Sequence, residues 1–201
     1  KGKLADLCII ATQDSQHREH AVNALSAGYD LLLEKPIARN IEELYDIYNT
    51  AKKYGKQVFI CHVLRYAPFF NKIKEELDTG LYGNVCTINI TENVAYWHQA
   101  HSYVRGNWAD TKKSTPMIIA KCCHDLDLLA WYIGKNCVSV SSYGSLSYYN
   151  YKNAPKGSGE ICLNCEVKNN CPYDAEKFYI IDRIGNCDIR FRIKRCKASR
   201  I

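Results

Sequence analysis

Three short, unbroken apolar runs constrain this chain more than any other feature: Leu7-Cys8-Ile9-Ile10-Ala11, Leu31-Leu32-Leu33 and Val58-Phe59-Ile60-Cys61. Runs this short, with no polar residue alternating, read as strands buried on both faces, the mark of a parallel sheet. The intervals between them carry helical patterns. Ala21, Ala24 and Leu25 recur at helical spacing ahead of Gly28. Asn40, with Glu43 three residues later, makes a capping-box start for a second helix; its apolar face is Ile41, Leu44, Ile47 and Tyr48, and its stop is Gly55. The order strand, helix, strand, helix, strand predicts a βαβαβ half of a doubly wound α/β sheet.

Beyond Cys61 the pattern changes. Pro68 opens a helix with Phe69, Ile73 and Leu77 on one side and a stop near Gly80. Val85–Val94 alternates like a half-exposed antiparallel strand, Met117–Ile133 reads as one apolar helix stopped by Gly134, and Val138–Tyr149 alternates again. The expected fold class is therefore α/β: a partial Rossmann-like parallel sheet over residues 1–64, then part of an α+β open-sheet domain over 65–201, with a cysteine-rich loop at 160–173. A first strand at Leu7 would leave a flat apolar edge, which proteins rarely tolerate, and no G-x-G-x-x-G turn occurs in the sequence. Both points lead to the expectation that the natural protein is longer at its N-terminus and that these 201 residues alone bind a dinucleotide weakly.

Charge narrows the partners. The 27 Lys and Arg against 21 Asp and Glu give +6, but Arg190, Arg192, Lys194, Arg195, Lys197 and Arg200 supply that whole surplus at the C-terminus. A neutral body argues against a nucleic-acid surface. No apolar run approaches the roughly 18 residues that span a bilayer. Of 11 cysteines, Cys8, Cys61, Cys86, Cys122, Cys123 and Cys137 sit in apolar or strand-like stretches, as small hydrophobes do. A reduced, cytoplasmic setting fits that usage better than a disulfide framework.

Four groups of residues carry chemistry. Glu34-Lys35-Pro36 stands at the carboxyl end of the second strand, where open α/β sheets place ligands, and a lysine there can hold a substrate oxygen and relay its proton. Lys121, His124 and Asp125 lie inside an apolar helical stretch, where they must line a polar site or find partners. The loop from Tyr96 to Trp108, with His101, Arg105 and Trp108, suits either a sugar ring or a subunit contact. Cys162, Cys165 and Cys171 have the two-residue spacing that lets thiolates share a tetrahedral zinc, with Cys187 or Cys196 as the remaining ligand; a plain cysteine-rich loop is the alternative.

Taken together, Ile10-Ala11-Thr12 with His17, Ala27-Gly28, Glu34-Lys35-Pro36, Arg65-Tyr66-x-Pro68 and the helix with His124-Asp125 resemble the Gfo/Idh/MocA family, relatives of glucose-fructose oxidoreductase and inositol dehydrogenase. The resemblance covers roughly Ala5 to Tyr149. It implies a Rossmann domain joined to an open-sheet domain that forms homo-oligomers, an NAD or NADP cofactor, and hydride transfer to or from a sugar, cyclitol or related polyol. Carried over by position, Thr12, His17, Glu34, Lys35 and Pro36 would line the cofactor cleft, with Lys35 and His124 as catalytic residues. Lys121 joins them as a catalytic candidate, and Arg65, Tyr66, His101, Arg105, Trp108 and Asp125 as substrate residues. Classical sugar dehydrogenases of this family carry an Asp four residues before the histidine; here that position is Ala120. The departure keeps open an NAD-dependent glycosidase or lyase of the same fold, and a non-catalytic ligand-binding or assembly protein is the further alternative.

Overall fold

A computed structural model describes residues 3–181. Along the chain run β1 (Leu7–Ile10), α1 (Asp14–Ser26), β2 (Asp30–Leu33), α2 (Ile41–Tyr54), β3 (Val58–Ile60), α3 (Pro68–Asp78), α4 (Tyr96–Gln99), α5 (Met117–Ala120) and α6 (Cys123–Ile133), with short 3-10 and π turns between and after them. The residues group into two compact units. One runs to Glu92 and adds Lys112–Val140; the other takes Asn93–Thr111 and the chain from Ser141 onward.

The first unit is built on a three-stranded parallel sheet in the order β1-β2-β3, with Cys8 opposite Leu31 opposite Val58 and Ile10 opposite Leu33 opposite Ile60. Those two rows face the helices, forming a core with Ala21 and Leu25 of α1 and Ile47 and Ala51 of α2. The expected burial on both faces holds for one face only: Ile9 is 66% exposed and Phe59 52%. Right-handed crossovers that step in the same direction put both helices on the same side, so α1 and α2 leave the row of Ile9, Leu32 and Phe59 uncovered.

Local signals place the helices where the sequence puts them. Asn40 caps α2, its side chain accepting from the Glu43 backbone N–H at 2.9 Å. The Glu43 carboxylate does not return the bond to Asn40; it accepts from the backbone N–H and guanidinium of Arg39. Gly55 closes the helix in the left-handed conformation at φ 61°, a geometry that a side chain disfavours. Pro68 occupies the first turn of α3.

Two expectations need correction. Val85–Val94 and Val138–Tyr149 form no strand; both are irregular, and Val138, Val140, Tyr143 and Leu146 are largely exposed. Alternation supplies one apolar face, but a strand exists only when its backbone groups pair with a neighbour, and among the described residues neither segment has one. The helix expected over Met117–Ile133 is broken at Lys121 and Cys122 into α5 and α6. Cys187, Cys196 and the basic cluster from Arg190 to Arg200 lie outside the described residues. No helix among the described residues is long and apolar enough to cross a membrane.

The burial pattern ranks the cost of substitutions. Leu31 and Leu33 are fully buried, so Leu31→Ala or Leu33→Ala should each destabilise the chain by about 2–5 kcal/mol. Loss of the cap in Asn40→Ala should cost only about 1 kcal/mol. Urea unfolding midpoints check the ranking, and similar losses at the two kinds of site would contradict it.

Candidate active site

The parallel ladder carries two chemically equipped side chains to one edge. Past β2, the Glu34 backbone N–H donates to the Ile10 carbonyl at 2.9 Å, and past β3 the Cys61 N–H donates to the Leu33 carbonyl at 2.9 Å. The next residues are Lys35 and His62, so both follow the paired strands at the same edge of the sheet. Pro36 follows Lys35 through a cis peptide bond and is buried. Thr12, at the end of β1, is exposed and its hydroxyl lies 3.1 Å from Nδ1 of His20.

His17 belongs behind this edge. It is 1% exposed, with Nδ1 2.8 Å from the Pro36 carbonyl oxygen and Nε2 3.1 Å from the Thr12 carbonyl oxygen. Both ring nitrogens of His17, expected to line the cofactor cleft, are occupied, and the ring ties the turn after β1 to the turn after β2. Pro36 shares that buried, wall-forming position. Glu34 and Lys35 are half-buried, and the Glu34 carboxylate accepts from the Lys35 backbone N–H at 3.2 Å.

Lys35 explains the broken helix. Its Nζ donates to the Ala120 carbonyl at 3.0 Å. In a continuous helix that oxygen would accept from the His124 N–H; here the His124 N–H donates instead to the Lys121 carbonyl at 3.2 Å. The ladder opens by one carbonyl, the lysine takes it, and the turn that follows carries His124. Nδ1 of His124 is buried and has no hydrogen-bond partner. Burial first, then the positive charge of Lys35 and the neighbouring His62 ring, pull the His124 pKa below its ordinary value of 6.5, which favours the neutral imidazole that proton transfer needs.

Asp127, one turn on, organises the rest. Arg65 donates to it through Nε at 2.7 Å and Nη2 at 2.6 Å, and Nδ1 of His62 lies 2.9 Å from Oδ1. The guanidinium also lies over Trp131, 5.4 Å from the ring centroid. The hydrogen bonds to Asp127 push the Arg65 pKa further up. Arg65, expected among the substrate residues, is thus committed to a carboxylate and an indole, and its role is to hold α6 against the end of β3. Tyr66 is 83% exposed. Asp125 and Lys121 are half-buried, and Asp125 neighbours Cys122. Burial pushes the thiols of Cys61, Cys122 and Cys123 up from their ordinary value, which keeps them protonated and weakly nucleophilic.

His62 was absent from the sequence-derived candidates although its ring meets that of His124 edge to face, 5.9 Å between centroids. The available signal was positional: it stands two residues past β3, as Lys35 stands two past β2.

His101, Arg105 and Trp108 lie in the second unit. There Nδ1 of His101 bonds the Tyr179 hydroxyl, Arg105 donates to the Tyr173 carbonyl and lies over the Tyr179 ring at 5.5 Å, and the Trp108 N–H donates to the Ser102 carbonyl at 3.1 Å. The zinc reading of Cys162, Cys165 and Cys171 gains no support: among the described residues no three His, Cys, Asp or Glu side chains come together to hold a metal. Cys162 and Cys165 flank a 3-10 turn, and the Cys165 sulfur accepts from the Gly159 N–H at 3.4 Å, so that thiol serves to close the loop.

Comparison with known proteins places this arrangement in context. Residues 1–62 match the model of an oxidoreductase family with an NAD-binding Rossmann fold, and residues 74–192 match that of the C-terminal alpha/beta domain of an oxidoreductase family. YteT of Bacillus subtilis is 29% identical over 172 residues, 84% of this chain and 40% of its own length. Myo-inositol 2-dehydrogenase from Lactobacillus plantarum shares the fold at TM-score 0.54 and 20% identity, over 66% of this chain and 38% of that one. WlbA dehydrogenase from Bordetella pertussis, solved with NADH and UDP-GlcNAcA, does so at TM-score 0.52 and 22% identity, over 64% of this chain and 37% of that one. The chain thus spans about two fifths of the length of these proteins.

The lowered His124 pKa has a consequence for stability. Between its folded value and the ordinary 6.5, the unfolded state binds a proton that the folded state refuses, so stability is lost as pH falls through that window and is retained above it. Urea midpoints followed from about pH 7 to about pH 5 should fall less steeply for His124→Gln than for the parent chain. Parallel curves would show that His124 titrates as it does in the unfolded chain.

Proposed function

The chain belongs to the Gfo/Idh/MocA oxidoreductase family, and from that premise we propose that the protein is an NAD(P)-dependent oxidoreductase moving a hydride between a nicotinamide and a sugar, cyclitol or related polyol. The observation that carries the reading is the convergence, at the carboxyl edge of the sheet, of the Lys35 ammonium and the buried, unpartnered Nδ1 of His124. A buried polar atom without a partner is costly, and a site awaiting a ligand group accounts for it. The fit to a nicotinamide rests on that atom and on an edge lined by the exposed Thr12 and the half-buried Glu34 and Lys35, which would hold the group with His17 and Pro36 shaping the wall behind. When bound, the cofactor supplies the carbon that accepts or returns the hydride.

The chain's own residues supply the rest. One Lys35 donor is spent on the Ala120 carbonyl; an ammonium has three, so donors remain to bind a substrate hydroxyl and orient it. His124, kept neutral by burial, can accept a proton at physiological pH. The substrates printed for the inositol dehydrogenase and for WlbA support a polyhydroxylated molecule. A second reading, cleavage or elimination with no net reduction of NAD, is favoured by one observation: residue 120 is an alanine, without the carboxylate that classical relatives are expected to carry there. A cytoplasmic homo-oligomer belongs to the same proposal, supported by the large apolar side chains that the first unit exposes at Ile9, Phe59 and Phe69.

The test is product analysis of the full-length protein with NAD+ or NADP+ and myo-inositol, scyllo-inositol or UDP-GlcNAcA. Accumulating NADH or NADPH supports the dehydrogenase, substrate cleavage without it supports the second reading, and neither would favour a binding protein. Lys35→Ala and His124→Ala should each lower kcat by roughly 100-fold or more with the circular dichroism unchanged. Lys121→Ala should cost less, since Lys35 and not Lys121 takes the Ala120 carbonyl; an effect confined to KM would make any of the three a binding residue.

A further inference from the structure

Asp127 is more heavily engaged than a structural clamp requires. The bidentate Arg65 fork already satisfies both carboxylate oxygens, at 2.7 and 2.6 Å, and would by itself pin α6 to the end of β3. Oδ1 nevertheless takes a third contact, from Nδ1 of His62 at 2.9 Å. The carboxylate is 11% exposed and the imidazole 19%, so the pair is largely withdrawn from water. Both Asp127 oxygens accept from the Arg65 fork, so Oδ1 meets the imidazole as an acceptor. Nδ1 of His62 must then carry a hydrogen whatever the charge on the ring, and Nε2 is the nitrogen that gains or loses a proton. A carboxylate that fixes the tautomer and orientation of an imidazole is the arrangement by which a histidine becomes a directed acid–base group.

His62 is also in the right place. It follows β3 as Lys35 follows β2, and its ring contacts that of His124. No role in the reaction proposed above has used it.

We propose that His62, oriented by Asp127, is a second acid–base residue of the site, its Nε2 taking the proton of the substrate hydroxyl. The inference rests on the oxidoreductase reading, in which His124 can also accept a proton, and makes His62 the acceptor for the substrate hydroxyl. In the oxidation direction the substrate O–H bond breaks and an N–H bond forms at His62 Nε2. The C–H bond on the same carbon breaks with both its electrons passing to NAD(P)+ as hydride, a carbonyl remains, and the imidazolium returns its proton to water. Asp127 and Arg65 are positioning residues in this scheme, since neither meets the substrate.

Nitrogen-15 NMR of the imidazoles in the full chain tests the orientation without any ligand. His62 should be in the Nδ1–H tautomer, and Asp127→Asn, which keeps the shape but can also donate, should move it toward Nε2–H. Activity tests the chemistry, with NAD+ and myo-inositol or UDP-GlcNAcA as probes. His62→Gln and Asp127→Asn should each lower kcat by roughly 100-fold while KM stays within about threefold, the pattern of a group acting in the transition state. A His62 found as Nε2–H, or a His62→Gln variant with undiminished kcat, overturns the inference while leaving the oxidoreductase reading intact. A full-length parent protein that reduces NAD+ with neither probe but shows the Nδ1–H tautomer counts against the oxidoreductase reading and removes the proton-transfer step, leaving Asp127 only as the anchor of the ring.

Discussion

Handedness is the constraint on which the first unit depends. A strand of L-residues twists one way, and a helix returning it to a parallel neighbour crosses on the right. Two such crossovers stepping from β1 to β2 to β3 leave no choice about where α1 and α2 lie, and they aim all the strand ends at one edge. Thr12, Lys35 and His62 are therefore brought together by the rule that closes the sheet, before any contact between them is made. A single-residue slip of register would turn Leu31 and Leu33 out of the core, so the hydrophobic rows that stabilise the sheet also index the reactive side chains.

The second half of the site is fastened to that edge by a few polar contacts. Asp127 binds Arg65 and His62, the Ala120 carbonyl binds Lys35, and Thr115, fully buried, bonds Asp14 at the start of α1. These contacts are partly or wholly shielded from water, where hydrogen bonds strengthen and unmet partners become expensive. The fastening and the chemistry consequently share residues: Lys35 is both a strut and a donor.

What could be read from the sequence follows the range of the interaction responsible. The caps of α2 at Asn40 and Gly55 and the start of α3 at Pro68 are local events and were legible, as were the three strands, whose apolar runs have no other economical fold. The break after Ala120 was hidden because its cause, Lys35, lies 85 residues away in the chain. The strands expected in 85–94 and 138–149 failed for the converse reason: alternation is local, but pairing is not. Lys35 and His124 stood out because charge in an apolar context needs an explanation. His62 did not, because its partner, Asp127, becomes its neighbour only once α6 has been docked; Arg65 was expected at the substrate, and the same carboxylate binds it.

The bond from Lys35 to the Ala120 carbonyl has one more consequence. A main-chain oxygen is present whatever side chain position 120 carries, so substitution there cannot delete the acceptor; it can only add bulk or charge beside it. The lysine's anchor is accordingly insulated from mutation and leaves no trace in residue identities. Replacing Ala120 by a residue that carries a carboxylate would therefore add a second acceptor beside the amine without removing the first.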